Sequence, residues 1–190
     1  LMEENLETFR QIRFKHIITT DPHAFNTLKN DYPHAVEVLH YTQFFARLIS
    51  QRKLRPQKTL EDCRTYTYHD PCYLGRHNEV YLEPREILQS MPGMHWVEME
   101  KSRDRSFCCG GGDIVLWHEI ESEQMRMAEK RVQMARAAGA DGLVTACPFC
   151  FIHFEDAIKT LGLENEMRVF DLMQLLASTL ENPAGSSEEE

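Results

Sequence analysis

The residues with the most chemistry in this chain are five cysteines in three groups: Cys72, the adjacent pair Cys108 and Cys109, and Cys147 with Cys150. Neighbouring cysteines seldom satisfy the Cα and Cβ geometry of a disulfide. They can both reach one metal centre if the backbone turns sharply beside them. Gly110, Gly111 and Gly112 follow directly, and glycine accepts positive φ and lets backbone approach a ligand closely. Cys147 and Cys150 straddle Pro148 at an expected helix start, so both sulfurs can face the same centre. Amides at that helix start and in the glycines can donate hydrogen bonds to sulfur, which tends to raise a cluster's potential. Thiolates are soft ligands that suit iron–sulfur clusters and zinc. A structural zinc site closes with four ligands, and five cysteines exceed that by one. The residues alone establish a soft-metal thiolate site, with metal-free exchange through Cys147 and Cys150 as a third reading.

Other candidates surround these groups. Cys63, in a polar stretch ahead of Cys72, reads as a free thiol without a role. His69 and His77 flank Cys72 and read as structural histidines, with ligation or proton donation as the sharper alternative. Arg76, Arg103 and Arg105 sit on the cysteine-bearing loops, either offsetting cluster charge and meeting an acidic partner or simply facing solvent. Met125, Met127 and Met134 read as core filler rather than a cofactor box.

The elements that must position these side chains are written in the spacing of apolar residues. Leu6, Phe9 and Ile12 predict a helix over 3–14, and the β-branched run at 16–20 a strand. Asp21 as N-cap and Pro22 at the first helical position open a helix to about residue 30. A strand over 35–39, a helix over 41–51 and a linker holding Pro56 follow. The second part predicts strands at 65–69, 95–99, 141–146 and 169–170, and helices at 83–91, 113–138, 148–161 and 172–180. Strands alternating with helices imply an α/β fold, with Rossmann-like, mainly parallel sheets and flanking helices. Ligands in such folds sit where strands end, which is where Cys72 and Cys147 fall.

Composition removes several function classes. The chain has 190 residues, 42% of them hydrophobic and 27% charged, which is ordinary for a globular protein. Its formal charge of −9 argues against nucleic acid as a partner. No apolar run has the length of a membrane span. Six cysteines without a secretory leader favour metal or redox use in the cytoplasm over a disulfide framework. Any membrane association is then expected to come through partner subunits.

An internal repeat is also present. Residues 17–25 match 143–151, and 38–46 match 169–177 after a five-residue shift. Residues 1–52 therefore read as a degenerate back half of one unit, 53–62 as a linker, 63–182 as a complete second unit and 183–190 as a disordered acidic tail. Asp21 and Ala24 stand where the second copy has Cys147 and Cys150, so the first copy cannot close a cluster of its own. His23, inside that degenerate motif, is placed to share a stray metal ion with Asp21.

Cys72, then 35 residues, Cys108–Cys109, then 37 residues, then Cys147-Pro148-Phe149-Cys150 resembles the cysteine-rich CCG domain. That domain occurs in the B-type and D-type components of heterodisulfide reductase and in iron–sulfur subunits of glycolate, lactate and glycerol-3-phosphate oxidoreductases. It also occurs in oxidoreductases associated with electron-transfer flavoproteins. The resemblance implies a [4Fe–4S]-type cluster, in some members non-cubane and bound by all five cysteines, serving electron transfer or thiol–disulfide chemistry. It implies redox partners: a flavoprotein, a ferredoxin-like protein, or a quinone- or haem-bearing membrane subunit, together with the missing first half of the repeat. The competing expectation is a non-catalytic zinc–thiolate module that docks a partner subunit. Gly110-Gly111-Gly112 lacks the spacing and the preceding strand of a dinucleotide-binding loop.

Overall fold

A computed structural model describes residues 1–33, 36–60, 65–112 and 125–181. The elements run α1 (Met2–Arg10), β1 (His16–Thr19), α2 (Pro22–Asn30), β2 (Glu37–His40), α3 (Tyr41–Ser50), β3 (Tyr66–His69), α4 (Leu82–Ser90), β4 (Trp96–Val97), α5 (Met127–Ala137), β5 (Gly142–Thr145), α6 (Pro148–Thr160), β6 (Arg168–Asp171) and α7 (Leu172–Ser178). A short 3-10 turn at Arg103–Arg105 follows β4. The strands form a two-stranded sheet, β1-β2, and a four-stranded sheet in the order β4-β3-β5-β6. Every one of these pairings is parallel. The chain is therefore an α/β protein with parallel sheets flanked by helices.

The larger sheet is buried on both faces, as a parallel sheet between helical layers must be. All four residues of β3 and of β5 are buried. Alternation sends them to opposite sides. Tyr66, Tyr68, Val144 and Ala146 join Phe25, Tyr41, Ile87, Leu88 and Leu172 in one core cluster. Leu143 faces the other way, into a second cluster with Val132, Ala135, Phe154 and the sulfurs of Cys109, Cys147 and Cys150. The first cluster draws on α2, α3, α4 and α7, so residues from the β1-β2 half and the larger sheet share one interior. The connecting segment is pinned as well: the amides of Gln57 and Lys58 both donate to the Thr179 carbonyl at 2.8 Å.

Some expectations shift. The first helix ends at Arg10, four residues early, and the strand after α2 lies at Glu37–His40 rather than 35–39. Of the strand expected over 95–99, only Trp96 and Val97 pair, with Tyr66 and Thr67 of β3. Of the helix expected over 113–138, the described residues form α5 from Met127 onward. Arg126 is extended (φ −63°, ψ 155°) and caps α5, whose first helical residue is Met127. Residues 113–124, Cys63 and the acidic tail lie outside the described residues.

Two buried polar groups give this fold testable energetics. Arg85, on α4, is 3% exposed and forks onto two carboxylates. Its Nη1 and Nη2 donate to Asp70 at 2.7 and 3.0 Å, and its Nε and Nη2 donate to Glu98 at 2.6 and 2.9 Å. Removing one member of such a buried network strands the others' charge. Arg85→Met is expected to destabilise the fold by about 3–5 kcal/mol, read as a lowered denaturation midpoint in urea.

His40, fully buried at the N-cap of α3, accepts the Thr42 amide at Nδ1 and is held neutral because burial pushes its pKa down to about 4. The unfolded chain takes up this proton near pH 6.5, so the stabilisation is complete above that pH. It fades as pH falls through 6.5 toward 4. Acid titration of the denaturation midpoint is expected to show a loss of about 3 kcal/mol across that window. His40→Asn, which keeps a capping acceptor but has no proton to gain, should flatten that limb.

Candidate metal centre

Three loop segments deliver the five cysteines. β3 ends at His69, and Pro71 starts a turn in which the amides of Leu74 and Gly75 donate back to the Pro71 carbonyl, placing Cys72. β5, the parallel neighbour of β3, ends at Thr145, and Cys147 is the N-cap of α6. Pro148 at the first helical position starts that helix, which brings Cys150 round one turn later onto the side of Cys147. The pair Cys108–Cys109 arrives on the loop after β4 and its 3-10 turn.

Asp70 holds the first and third of these loops together. Its carboxylate accepts the Arg103 amide at 2.8 Å in addition to Arg85, and its carbonyl accepts the Ser106 hydroxyl at 3.3 Å. Arg76, at the far side of the Cys72 turn, donates to the Ser106 carbonyl at 2.7 Å. Asn78 joins the Cys72 turn to α2, donating to the Tyr73 carbonyl at 2.8 Å and to Asn26 at 2.9 Å.

The structure brings all five expected cysteines into one continuous run of contacts. Cys72 meets Cys108, Cys108 meets Cys109, Cys109 meets Cys150 at 3.2 Å between sulfurs, and Cys150 meets Cys147. All five are free thiols; Cys109, Cys147 and Cys150 are buried and the other two half-buried. The glycines act as their type suggests at two positions. Gly110 adopts φ +76° and Gly111 lies so close to His153 that a Cβ there would sit 2.5 Å from the ring. Their amides donate to Cys108 and Cys109 sulfurs, each at 3.3 Å.

Crowded thiols share protons unequally. Cys108 accepts from Cys109 and from Cys72 as well as from the Gly110 amide, so it is held far below the ordinary thiol range. Cys147 is also lowered, by contact with Cys150 and, against its burial, by the amides at the start of α6. Cys72 and Cys109 are pushed up by the charge-bearing Cys108, and Cys150 by both its sulfur neighbours. A set in which Cys108 and Cys147 are drawn toward the thiolate at the expense of their neighbours is poised for a soft cation, since a metal takes the thiolate form.

The cluster lies at the base of a narrow cavity of about 10 Å³, whose walls include Pro22, His23, Tyr73 and Phe149. Asp21 accepts from the His23 ring at 2.9 Å, and the ring packs against Tyr73 and Phe149 at centroid distances of 4.4 and 5.0 Å. Asp21, His23 and Cys147 offer ligand atoms within 4.8 Å of one another. A roomier cavity of about 440 Å³ lies between α1 and the β1-β2 sheet, lined by Leu6, Phe9, Phe14 and Ile17, but it holds no thiol or carboxylate.

His77 stacks on Tyr73 at 4.6 Å, away from the sulfurs. Arg103 and Arg105 form the 3-10 turn, with Arg103 reaching Glu98 at 3.8 Å. Met127 and Met134 pack beside the site, Met127 against Gly110 and Met134 against the second core cluster, while Met125 is exposed. His69 differs from these. It is fully buried and burial drives its pKa well down, so the ring is neutral. Its neighbour Arg131 was not singled out in the sequence. The signal was there: Arg131 stands in the run Ala128, Val132 and Ala135, on the stripe by which α5 is buried.

Residues 66–155 match the cysteine-rich domain family model designated CCG. The chain is 41% identical over 95% of its length to the probable iron–sulfur-binding oxidoreductase FadF of Bacillus subtilis, covering 26% of that protein. It is 37% identical, over 95% of its length and 26% of the relative, to EtfAB:quinone oxidoreductase of Syntrophomonas wolfei. A similarity of 35% over 95% of the chain extends to the D-type component of the dihydromethanophenazine:CoB–CoM heterodisulfide reductase of Methanosarcina barkeri, of which 44% is covered. The chain thus spans between a quarter and a half of the length of these curated relatives. Because one matched segment takes in the turns of Cys72, Cys108–Cys109 and Cys147–Cys150 together, residues 66–155 form a cysteine-rich domain of the CCG family.

Proposed function

We propose that this chain is an iron–sulfur electron-transfer module of a heterodisulfide-reductase-like oxidoreductase. In this reading Cys72, Cys108, Cys109, Cys147 and Cys150 hold one [4Fe–4S]-type cluster. The observation that carries it is the unbroken run of five neighbouring sulfurs, four contacts in all, brought together from the ends of β3 and β5 and the loop after β4, inside the matched segment. Five soft donors, two of them already lowered in pKa, fit an iron–sulfur group and exceed the four of a structural zinc site. When bound, that group supplies one-electron redox chemistry, and in a non-cubane form an iron open to a substrate sulfur.

The chain's own residues bind, shield and tune. Gly110 and Gly111 point their amides at sulfur, and so do the amides at the head of α6. Such donors stabilise the more negative, reduced state. Phe154, Val132 and Leu143 close the inner side of the thiol set against water, while His23, Tyr73 and Phe149 form its outer rim. Burial of this kind narrows electron exchange to the rim, where a redox partner would dock. The names of the relatives, with their EtfAB, quinone and ferredoxin, support a quinone-linked or ferredoxin-like partner, while the flavoprotein and haem-bearing partners rest on the family resemblance. No described helix is long and apolar enough to cross a membrane, so any membrane contact would run through such partners or other segments.

The β1-α2-β2-α3 order repeats as β5-α6-β6-α7, with a parallel strand pair in each. We read residues 1–52 as the truncated back half of a first unit and 63–182 as the complete second one, joined by 53–62. In that reading the first unit has no cluster, and its α2 serves as the wall that carries His23.

Anaerobic purification followed by iron, sulfide and zinc analysis tests the assignment. The expected result is about four irons with matching sulfide and a cluster EPR signal. Cys109→Ser should lose most of the iron, whereas Cys63→Ser should leave it unchanged. Loss at all five cysteines fits five-thiolate ligation; retention in one of the five variants fits a cubane with four. Stoichiometric zinc without sulfide would replace the redox reading with that of a docking module.

A further inference from the structure

We infer that Arg131, acting through His69, is the buried countercharge that raises the reduction potential of the thiolate centre. The inference rests on the iron–sulfur reading above. Arg131 is fully buried, and its guanidinium donates only to uncharged acceptors. Nε donates to His69 Nδ1 at 3.2 Å, Nη1 to the Lys101 carbonyl at 2.7 Å and to Met134 Sδ at 3.8 Å, and Nη2 to Ser106 Oγ at 3.3 Å. Among the described residues no carboxylate forms an ion pair with it. The two carboxylates whose charge it feels, Asp70 and Glu98, are both held by Arg85. A guanidinium does not shed its proton to escape burial as an ammonium can. It therefore needs negative charge nearby, and the third group it feels is Cys150.

The His69 ring is the physical link. Because Nδ1 accepts from Arg131, the ring proton belongs on Nε2. Nε2 is buried and without a hydrogen-bond partner among the described residues. A ring nitrogen of His69 lies within 4.8 Å of the sulfurs of both Cys109 and Cys150. Phe154 holds the ring edge-on, at 4.7 Å and 81°. A neutral imidazole, fixed in one tautomer by a cation behind it, thus lies beside the sulfurs with its one N–H unspent. Partners of this kind orient and tune a metal site from outside its ligands. Both the donor and the charge favour the reduced state, so their loss must lower the potential.

The same elements explain why the arrangement is rigid. Arg131 is on α5, His69 ends β3, and Lys101 and Ser106 lie on the loop that leads to Cys108. One side chain therefore spans three of the segments around the centre, and its charge cannot swing away to solvent.

The test is an EPR-monitored redox titration of the anaerobically purified chain and its variants. Arg131→Met is expected to lower the one-electron reduction equilibrium constant at least tenfold, a shift of about 59 mV downward. Arg131→Lys, which keeps the charge, should recover most of that shift. His69→Leu should move the potential in the same direction, and the double variant by less than the sum. In the wild type, with histidine labelled by a heavy nitrogen isotope, pulsed EPR should show, among any couplings from other rings such as His23, a nitrogen of His69 coupled too weakly to be a ligand. That coupling should vanish in His69→Leu.

An unchanged potential in Arg131→Met and His69→Leu, with iron and sulfide retained, overturns the inference. Should Arg131→Met fail to hold its cluster, a wild type without the coupled nitrogen overturns it instead. A wild type without iron and sulfide sinks the iron–sulfur reading itself, which separates the two failures.

Discussion

Gathering five thiols at one point depends on closing a long loop, and Asp70 is the residue that closes it. Cys72 and Cys108 are separated by a helix, a strand and a 3-10 turn. Asp70 stands two residues ahead of Cys72 and gives its carboxylate to Arg85 and the Arg103 amide, and its carbonyl to the Ser106 hydroxyl. These contacts join the end of β3 to α4 and to the loop that carries Cys108. A surface ion pair could not do this, because exposed pairs contribute little and are screened. A buried bidentate pair gives directional bonds whose cost is already sunk in the fold. The sulfurs can then be brought close by backbone that is itself held, rather than by their own attraction.

Charge sets the second constraint. Around the sulfurs the protein buries Arg85 and Arg131, and pairs only the first with carboxylates. Cations placed this way are out of keeping with a site whose cysteines all stay neutral. They are in keeping with one whose cysteines become thiolates on binding metal. The already lowered Cys108 and Cys147 point the same way, since both draw on backbone amides that would otherwise be unsatisfied at a turn and a helix start.

Much of this was legible in the sequence, for identifiable reasons. Strands and helices were readable where one periodicity ran unbroken, as in β3, β5, α6 and α7. The cysteines' common destination was readable because parallel strand ends are where such folds bind ligands. The break before α5 was not. Met125, Arg126 and Met127 continue a helix-compatible composition, and the extended backbone at Arg126 is held by side-chain bonds to Glu129, Asp156 and Thr160, two of them on α6. β4 pairs over only two residues, and which residues of a strand pair depends on a neighbour distant in sequence that no local pattern encodes. Arg131 was missed for a different reason. A lone arginine within an apolar stripe is visible, but what it touches depends on three segments distant in sequence.

On the repeat reading, the motif at Asp21 shows how a helix start without those cysteines keeps its fold. Asp21 and Cys147 occupy the same position, an extended N-cap followed by proline at the first helical turn. In α6 the free amides of that turn lie beside a sulfur. In α2 the Asp21 carboxylate accepts them, from His23 at 3.2 Å and Ala24 at 3.1 Å. Aspartate is among the best N-caps, so the substitution satisfies the helix start without any metal. The later caps follow the same logic: Asp171 accepts two amides of α7, and His40 exchanges bonds with Thr42 and Gln43 at the start of α3. What the exchange removes is a ligand, while the helix it begins still ends against the Cys72 turn through Asn26 and Asn78. A helix start is an anion site whichever anion it is given. A carboxylate there caps the helix, and a cysteine there presents a soft donor instead.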